Sequence, residues 1–245
     1  MSKVVATTVL PEDSGEVLTF GDTGDASAIS GDSLNLNKLQ DAGGNNIFTS
    51  DGSGTLTVPS AFGGAFNLLT TNTFTGSTTS NFTTLIDSTY DVYIFKWNAV
   101  NPATDQAYFT FQCSTDGGSN YNVSMTTTIF SVYHYENDTG SVGPNYDTGQ
   151  DQAQGTSYQT INRYCGSAAD ACAAGELYLF APSNTTFMKQ FYAVGNNMEG
   201  GGAPGTMETF SGGYFDTTTA LNAISFKMST GNMDGEIKMY GISKS

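Results

Sequence analysis

Between residues 224 and 243 apolar and polar positions alternate. Ile224, Phe226 and Met228 take one side and Ser225, Lys227 and Ser229 the other, then Ile237 and Met239 resume opposite Glu236 and Lys238. A period of two marks a half-buried strand. Gly231, Asn232, Asp234 and Gly235 supply turn chemistry between the arms, so the pattern predicts a hairpin. The stretch FTFQCSTDGGSNYNVSM at 109–125 repeats the plan, with Phe109, Phe111 and Cys113 on one face before a Ser-Thr-Asp-Gly-Gly turn. From Gly63 onward, strands are predicted near 66–71, 91–97, 107–113, 121–135, 158–164, 176–181, 186–192, 208–215, 222–228 and 235–242. Regular short strands with Gly-rich turns predict an all-β chain whose body is an antiparallel, jelly-roll-like β-sandwich. After Asp91 the run DVYIFKW is apolar except at Lys96, as expected of a strand covered on both faces, one by the core and one by a neighbouring subunit. That places Tyr93, Phe95 and Trp97 in the core or an oligomer interface. The nearest approach to a helix is SAADACAAGELYL at 167–179, where Gly166 and Gly175 leave room for about two turns.

Aromatic content breaks near residue 60. The chain has 16 Phe, 13 Tyr and 1 Trp, of which only Phe20 and Phe48 precede that point. Two parts follow: an N-terminal, β-rich attachment or stem segment at 1–60, and a C-terminal sandwich at 61–245. The first consists of short apolar pieces (VVATTVL, EVLTF, LNLNKL, NNIFTS, GTLTV) between turns such as GDTGD and SDGSG. Pieces this short bury little alone, so the segment is expected to wind with other copies or lie along another protein. A homotrimer is the expected assembly. Because the last strand belongs to the sandwich, attachment is expected through the other end.

The 23 Asp and Glu against 8 Lys and Arg, Arg163 being the sole arginine, give a net charge of −15. Such a chain cannot replace the counterions of a phosphate backbone, and anionic membrane surfaces repel it, so nucleic-acid and membrane partners are not expected. No apolar run reaches the roughly 18 residues of a membrane span, and the N-terminus lacks the apolar core of a signal peptide. Cys113 reads as a small buried hydrophobe. Cys165 and Cys172 flank GSAADA closely enough for a disulfide, with two free thiols as the alternative; the spacing matches no common zinc pattern. Asp22, Asp25 and Asp32 raise calcium as a question, but they miss the EF-hand spacing, and Asp beside Gly is first a turn signal. No metal site and no cofactor is expected.

Catalytic arrangements find little support. His134 with Glu136 would need a nucleophile that no motif supplies. The carboxylate pairs Asp147 with Asp151, and Glu199 with Glu208, would need the deep groove of a larger scaffold. The chain is expected not to be an enzyme.

Four stretches carry a resemblance: GDSLNLNKLQDAGGNNIFTSDGSGTLTVPSAFGG, DSTYDVYIFKWNAVNPATDQAYFTFQCSTDGGSNYNV, LYLFAPSNTTFMKQFYA and ISFKMSTGNMDGEIKMYGI. Together they resemble a family of tailed-phage virion proteins common among phages of marine and cyanobacterial hosts. The resemblance implies a fibre-like or decorative virion component with a short β-rich stem and a C-terminal β-sandwich, on capsid or tail; exposure on the virion, synthesis in the host cytoplasm and attachment through residues 1–60 are expected with it. It brings no catalytic residues. Two functions are then expected in alternative: a structural knob or cement, or a receptor-binding tail-fibre module for a host glycan or surface protein. For the second, two long loops are predicted at 137–159 and 195–213. Their candidate contacts are the rings of Tyr146, Tyr158 and Phe210 and the amides of Asn145, Asn196 and Asn197.

Overall fold

Strands β1 (Lys38–Gln40), β2 (Asn46–Ser50) and β3 (Leu56–Thr57) form a small antiparallel sheet in that order. They belong to the first of two units, Met1–Ala61 and Phe62–Ser245. The structure, a computed structural model, describes residues 38–40, 43–50, 53, 56–57, 65–202 and 204–243. Most of the predicted stem, with Asp22, Asp25 and Asp32, therefore lies outside the described residues.

The second unit is an antiparallel β-sandwich. Its smaller sheet has four strands in the order β10 (Gln159–Cys165), β7 (Ala107–Ser114), β14 (Ala223–Met228) and β5 (Ser80–Phe82). Its larger sheet has eight: β4 (Phe66–Ser77), β15 (Met233–Ile242), β6 (Val92–Pro102), β11 (Ala173–Phe180), β12 (Lys189–Met198), β13 (Gly205–Phe215), β8 (Met125–Tyr135) and β9 (Ser141–Tyr146). Alternation drives the packing, since each strand turns every second side chain inward. The inward set interlocks as rings across the two sheets. Phe82 meets Phe95 at 5.4 Å, Trp97 meets Phe109 at 5.6 Å and Phe111 meets Phe191 at 4.9 Å, all edge to face. Tyr93 and Phe95 are fully buried and Trp97 is 2% exposed, so these three are core residues of the sandwich itself. Gly175 makes this possible: a Cβ there would collide with the Trp97 indole and the Val194 carbonyl oxygen.

The predicted hairpins at 224–243 and 109–125 are not hairpins. β14 pairs with β5 and β7 in the small sheet, whereas β15 pairs with β4 and β6 in the large one. β7 and β8 are divided between the sheets in the same way. In each case the loop carries the chain over the strand ends from one sheet to the other. Period-two alternation is satisfied either way, because the apolar sides of both strands meet across the core.

Two further expectations change. The segment 195–213 is almost wholly strand, with only 199–204 connecting β12 to β13, and 137–159 contains β9. The small polar residues that suggested loops in fact alternate along strands. Cys165 and Cys172 are both free, which corrects the disulfide: Cys165 is buried in the core and Cys172 is exposed.

The outer side of the small sheet is covered by connecting segments. Gln112 is fully buried there, and its Nε2 donates to the carbonyl oxygens of Val123, Thr156 and Ser157 at 3.1, 3.1 and 3.0 Å. Tyr158 lies on this side too, with Lys227 Nζ 4.1 Å from its ring centre.

Candidate functional site

The outer face of the eight-stranded sheet has no such cover within the described residues of the second unit, yet it is not polar. In β6, Tyr93, Phe95 and Trp97 point inward, so Val92, Ile94 and Lys96 point out. Residues opposite one another on neighbouring strands share a face, and the register builds three rows across it. One row runs Phe66, Ile242, Val92, Phe180. The next runs Leu68, Tyr240, Ile94, Tyr178, Tyr192. The third runs Lys238, Lys96, Glu176, Val194, Phe210, Phe130, Tyr146. Ile94 is 0% exposed although it faces outward, flanked by Tyr178 and Tyr240, while Phe66 and Leu68 are each 55% exposed and Tyr192 43%.

Ring orientation decides what this face can bind. Tyr178 and Tyr192 lie 4.7 Å apart with planes 15° from parallel, and Phe130 and Phe210 lie 4.8 Å apart at 11°. Nearly parallel rings this close overlap face to face, so their π-faces are turned to each other and their edges outward. Such rings offer a partner ridged apolar edges that suit interdigitation with side chains, and little flat surface for a sugar ring.

Over β15, β6 and β11 the charges of the face are paired. Lys96 Nζ stands 3.0 Å from Glu176 Oε2 and Lys238 Nζ 2.9 Å from Glu236 Oε1. The hydrogen bond to Glu176 raises the pKa of Lys96, and that to Glu236 raises the pKa of Lys238, so both ammonium groups stay charged. Burial, and then the neighbouring Tyr178, push the Tyr192 phenol up.

At one end the face becomes a groove of about 360 Å³ lined by His134, Glu136, Asn196, Met198 and Thr206. Asn196 Nδ2 donates to Thr206 Oγ1 at 3.0 Å, and His134 Nε2 lies 3.1 Å from Asp138 Oδ1 rather than pairing with Glu136.

The other carboxylates weighed for catalysis are engaged separately. Asp147 Oδ2 meets Arg163 Nη2 at 2.7 Å, an ion contact not aligned as a hydrogen bond. Asp151 accepts a 2.7 Å hydrogen bond from the Tyr146 hydroxyl, which raises the tyrosine pKa. Glu199 follows β12 with a buried, unpartnered Oε2, and burial raises its pKa, while Glu208 sits on the outer face opposite Asn196 and Val132. Among the described residues, no group of three or more His, Cys, Asp or Glu is placed to hold a metal ion.

Of the six residues considered for receptor contact, Tyr146, Phe210 and Asn196 share the outer face. The other three do not join them. Tyr158 is on the small-sheet side, and Asn145 pairs with the inward-facing Ser131. Asn197 is 2% exposed, accepting from Asn162 Nδ2 at 3.1 Å and donating to the Arg163 carbonyl at 2.9 Å. It is a buried tie between β12 and β10. The residues that sequence reasoning passed over are Val92, Ile94, Tyr178, Phe180, Tyr192 and Tyr240. For Val92, Ile94, Tyr178 and Phe180 the signal was present, since VYIF and LYLF are apolar at the outward positions as well as the inward ones. Comparison with protein-family models, with curated proteins and with solved structures gave no match.

Proposed function

We propose that this chain is a non-enzymatic structural component of a tailed-phage virion, exposed on the particle, attached through residues 1–60 and acting by surface contact. The observation that carries the reading is the outer face of the large sheet, where aromatic and aliphatic side chains stand in register across neighbouring strands and enclose Ile94. Contiguous exposed apolar surface of this kind marks a contact site on a soluble domain. The resemblance of four stretches of the chain to phage virion proteins supplies the setting. The test is quantitative mass spectrometry of particles purified from the lysate of the encoding phage. The chain is expected at a fixed copy number that withstands repeated purification, and its absence from the particles overturns the reading.

A second reading, receptor recognition, is favoured by one observation: Tyr146, Phe210 and Asn196 share the face that ends in the His134 groove. Loss of an anchoring aromatic typically costs about 2 kcal/mol, roughly thirtyfold in affinity. Changing Tyr146 and Phe210 to Ala together should then reduce adsorption to host cells by at least that factor. Normal adsorption by normally assembled particles contradicts this second reading.

A further inference from the structure

We infer that the outer face over β15, β6, β11 and β12 is covered by a second copy of this chain. The inference rests on the reading of the chain as an assembly module and names the partner that its contact face takes.

Charge selects the partner. Each copy carries −15, so copies repel one another over most of their surface. On this face the balance is different: Lys96 and Glu176 stand opposite one another on β6 and β11, beside Lys238 on β15. Over β15, β6 and β11, Lys96 and Lys238 are balanced by Glu176 and Glu236, so a strongly basic or acidic partner gains nothing there, whereas a second copy matches the alternation of charges. Turned by half a turn about an axis that runs along the strands between β6 and β11, the copy sets its Glu176 over Lys96 and its Lys96 over Glu176. The same operation sets its Tyr178 over Ile94. Lys96 and Glu176 then each gain a second opposite neighbour, and the tyrosine rings that cover Ile94 in one copy meet those of the other.

The test is sedimentation equilibrium of the full chain over a wide concentration range. The native protein is expected to have a mass that is a multiple of the single chain. Lys96→Glu alone and Glu176→Lys alone should each weaken association about tenfold or more, and the double exchange K96E/E176K should restore it. Tyr192→Glu, at an exposed position that folding tolerates, should leave single chains. Tyr158→Ala, on the opposite side of the sandwich, should change nothing. A native protein that stays a single chain overturns the inference, as does an oligomer indifferent to Tyr192→Glu and Lys96→Glu. A single chain in solution whose Tyr192→Glu variant no longer enters the particle also overturns it, and assigns the face to another virion protein. The virion reading fails differently: a copy-to-copy contact broken by these changes, in a chain absent from the particle, keeps the inference and removes that reading.

Discussion

Phe226→Ala is expected to destabilise the sandwich by about 3–5 kcal/mol, the usual range for deleting a large ring from a close-packed core. Phe226 sits in β14 at 0% exposure, and its ring lies 6.2 Å from Phe82, 5.5 Å from Phe95, 5.9 Å from Phe109 and 6.3 Å from Phe111. Those neighbours come from both sheets, and their rings are held by strand backbones, so they cannot close over the space an alanine leaves. Against the roughly 5–15 kcal/mol total stability of ordinary domains, the loss is a large fraction. Urea unfolding followed by circular dichroism should show a much lower midpoint with an unchanged slope. A loss below about 1 kcal/mol would mean that β14 does not lie at the centre of the core.

The second large effect is expected at a polar position. Gln112→Met keeps volume but removes the amide that donates to Val123, Thr156 and Ser157 and the Oε1 that accepts from Cys113 N at 2.8 Å. Up to three carbonyl oxygens and one N–H lose their buried partner, and the expected cost is about 2–3 kcal/mol. The effect should be local as well as global. Amide hydrogen exchange is expected to quicken in 115–124 and 148–158, the segments that Gln112 ties to the small sheet, while β12 and β13 keep their protection. Uniform quickening across both sheets would contradict the assignment of Gln112 as a tie for those two segments.

The strands of the sandwich were largely legible from alternation, because half-buried strands write their two faces directly into the chain. Their partners were not. Ile224, Phe226, Ile237 and Met239 give the same pattern whether two strands pair side by side or face each other across a core, and only the structure separates the cases. β5 and β9 escaped notice for a different reason: Ser80–Phe82 is too short to show a period, and β9 carries Gly143 and Pro144 in six residues. The contact face was partly legible. DVYIFKW pointed to a strand covered on both sides, and β6 does present Val92 and Ile94 outward. Ring direction and burial were beyond reach, which is why Asn197 and Tyr158 were grouped with Tyr146 and Phe210 although they lie elsewhere. An Asn-rich stretch signals a loop when it is read as composition. Read as alternation, Asn196 and Asn197 belong to opposite faces of one strand.

The proposed assembly role and the inferred copy-to-copy contact make a common demand on the outer face: Tyr178 and Tyr192, partly exposed in the single chain, must be hidden from solvent in the working state. The most direct measurement is a reconstruction of the intact particle by electron cryomicroscopy at a resolution that places side chains. The account predicts density for the sandwich on the exposed surface of the particle, with the β6 and β11 rows closed against the same rows of a neighbouring copy. A particle that lacks the chain, or one in which that face stands open to solvent, would contradict it.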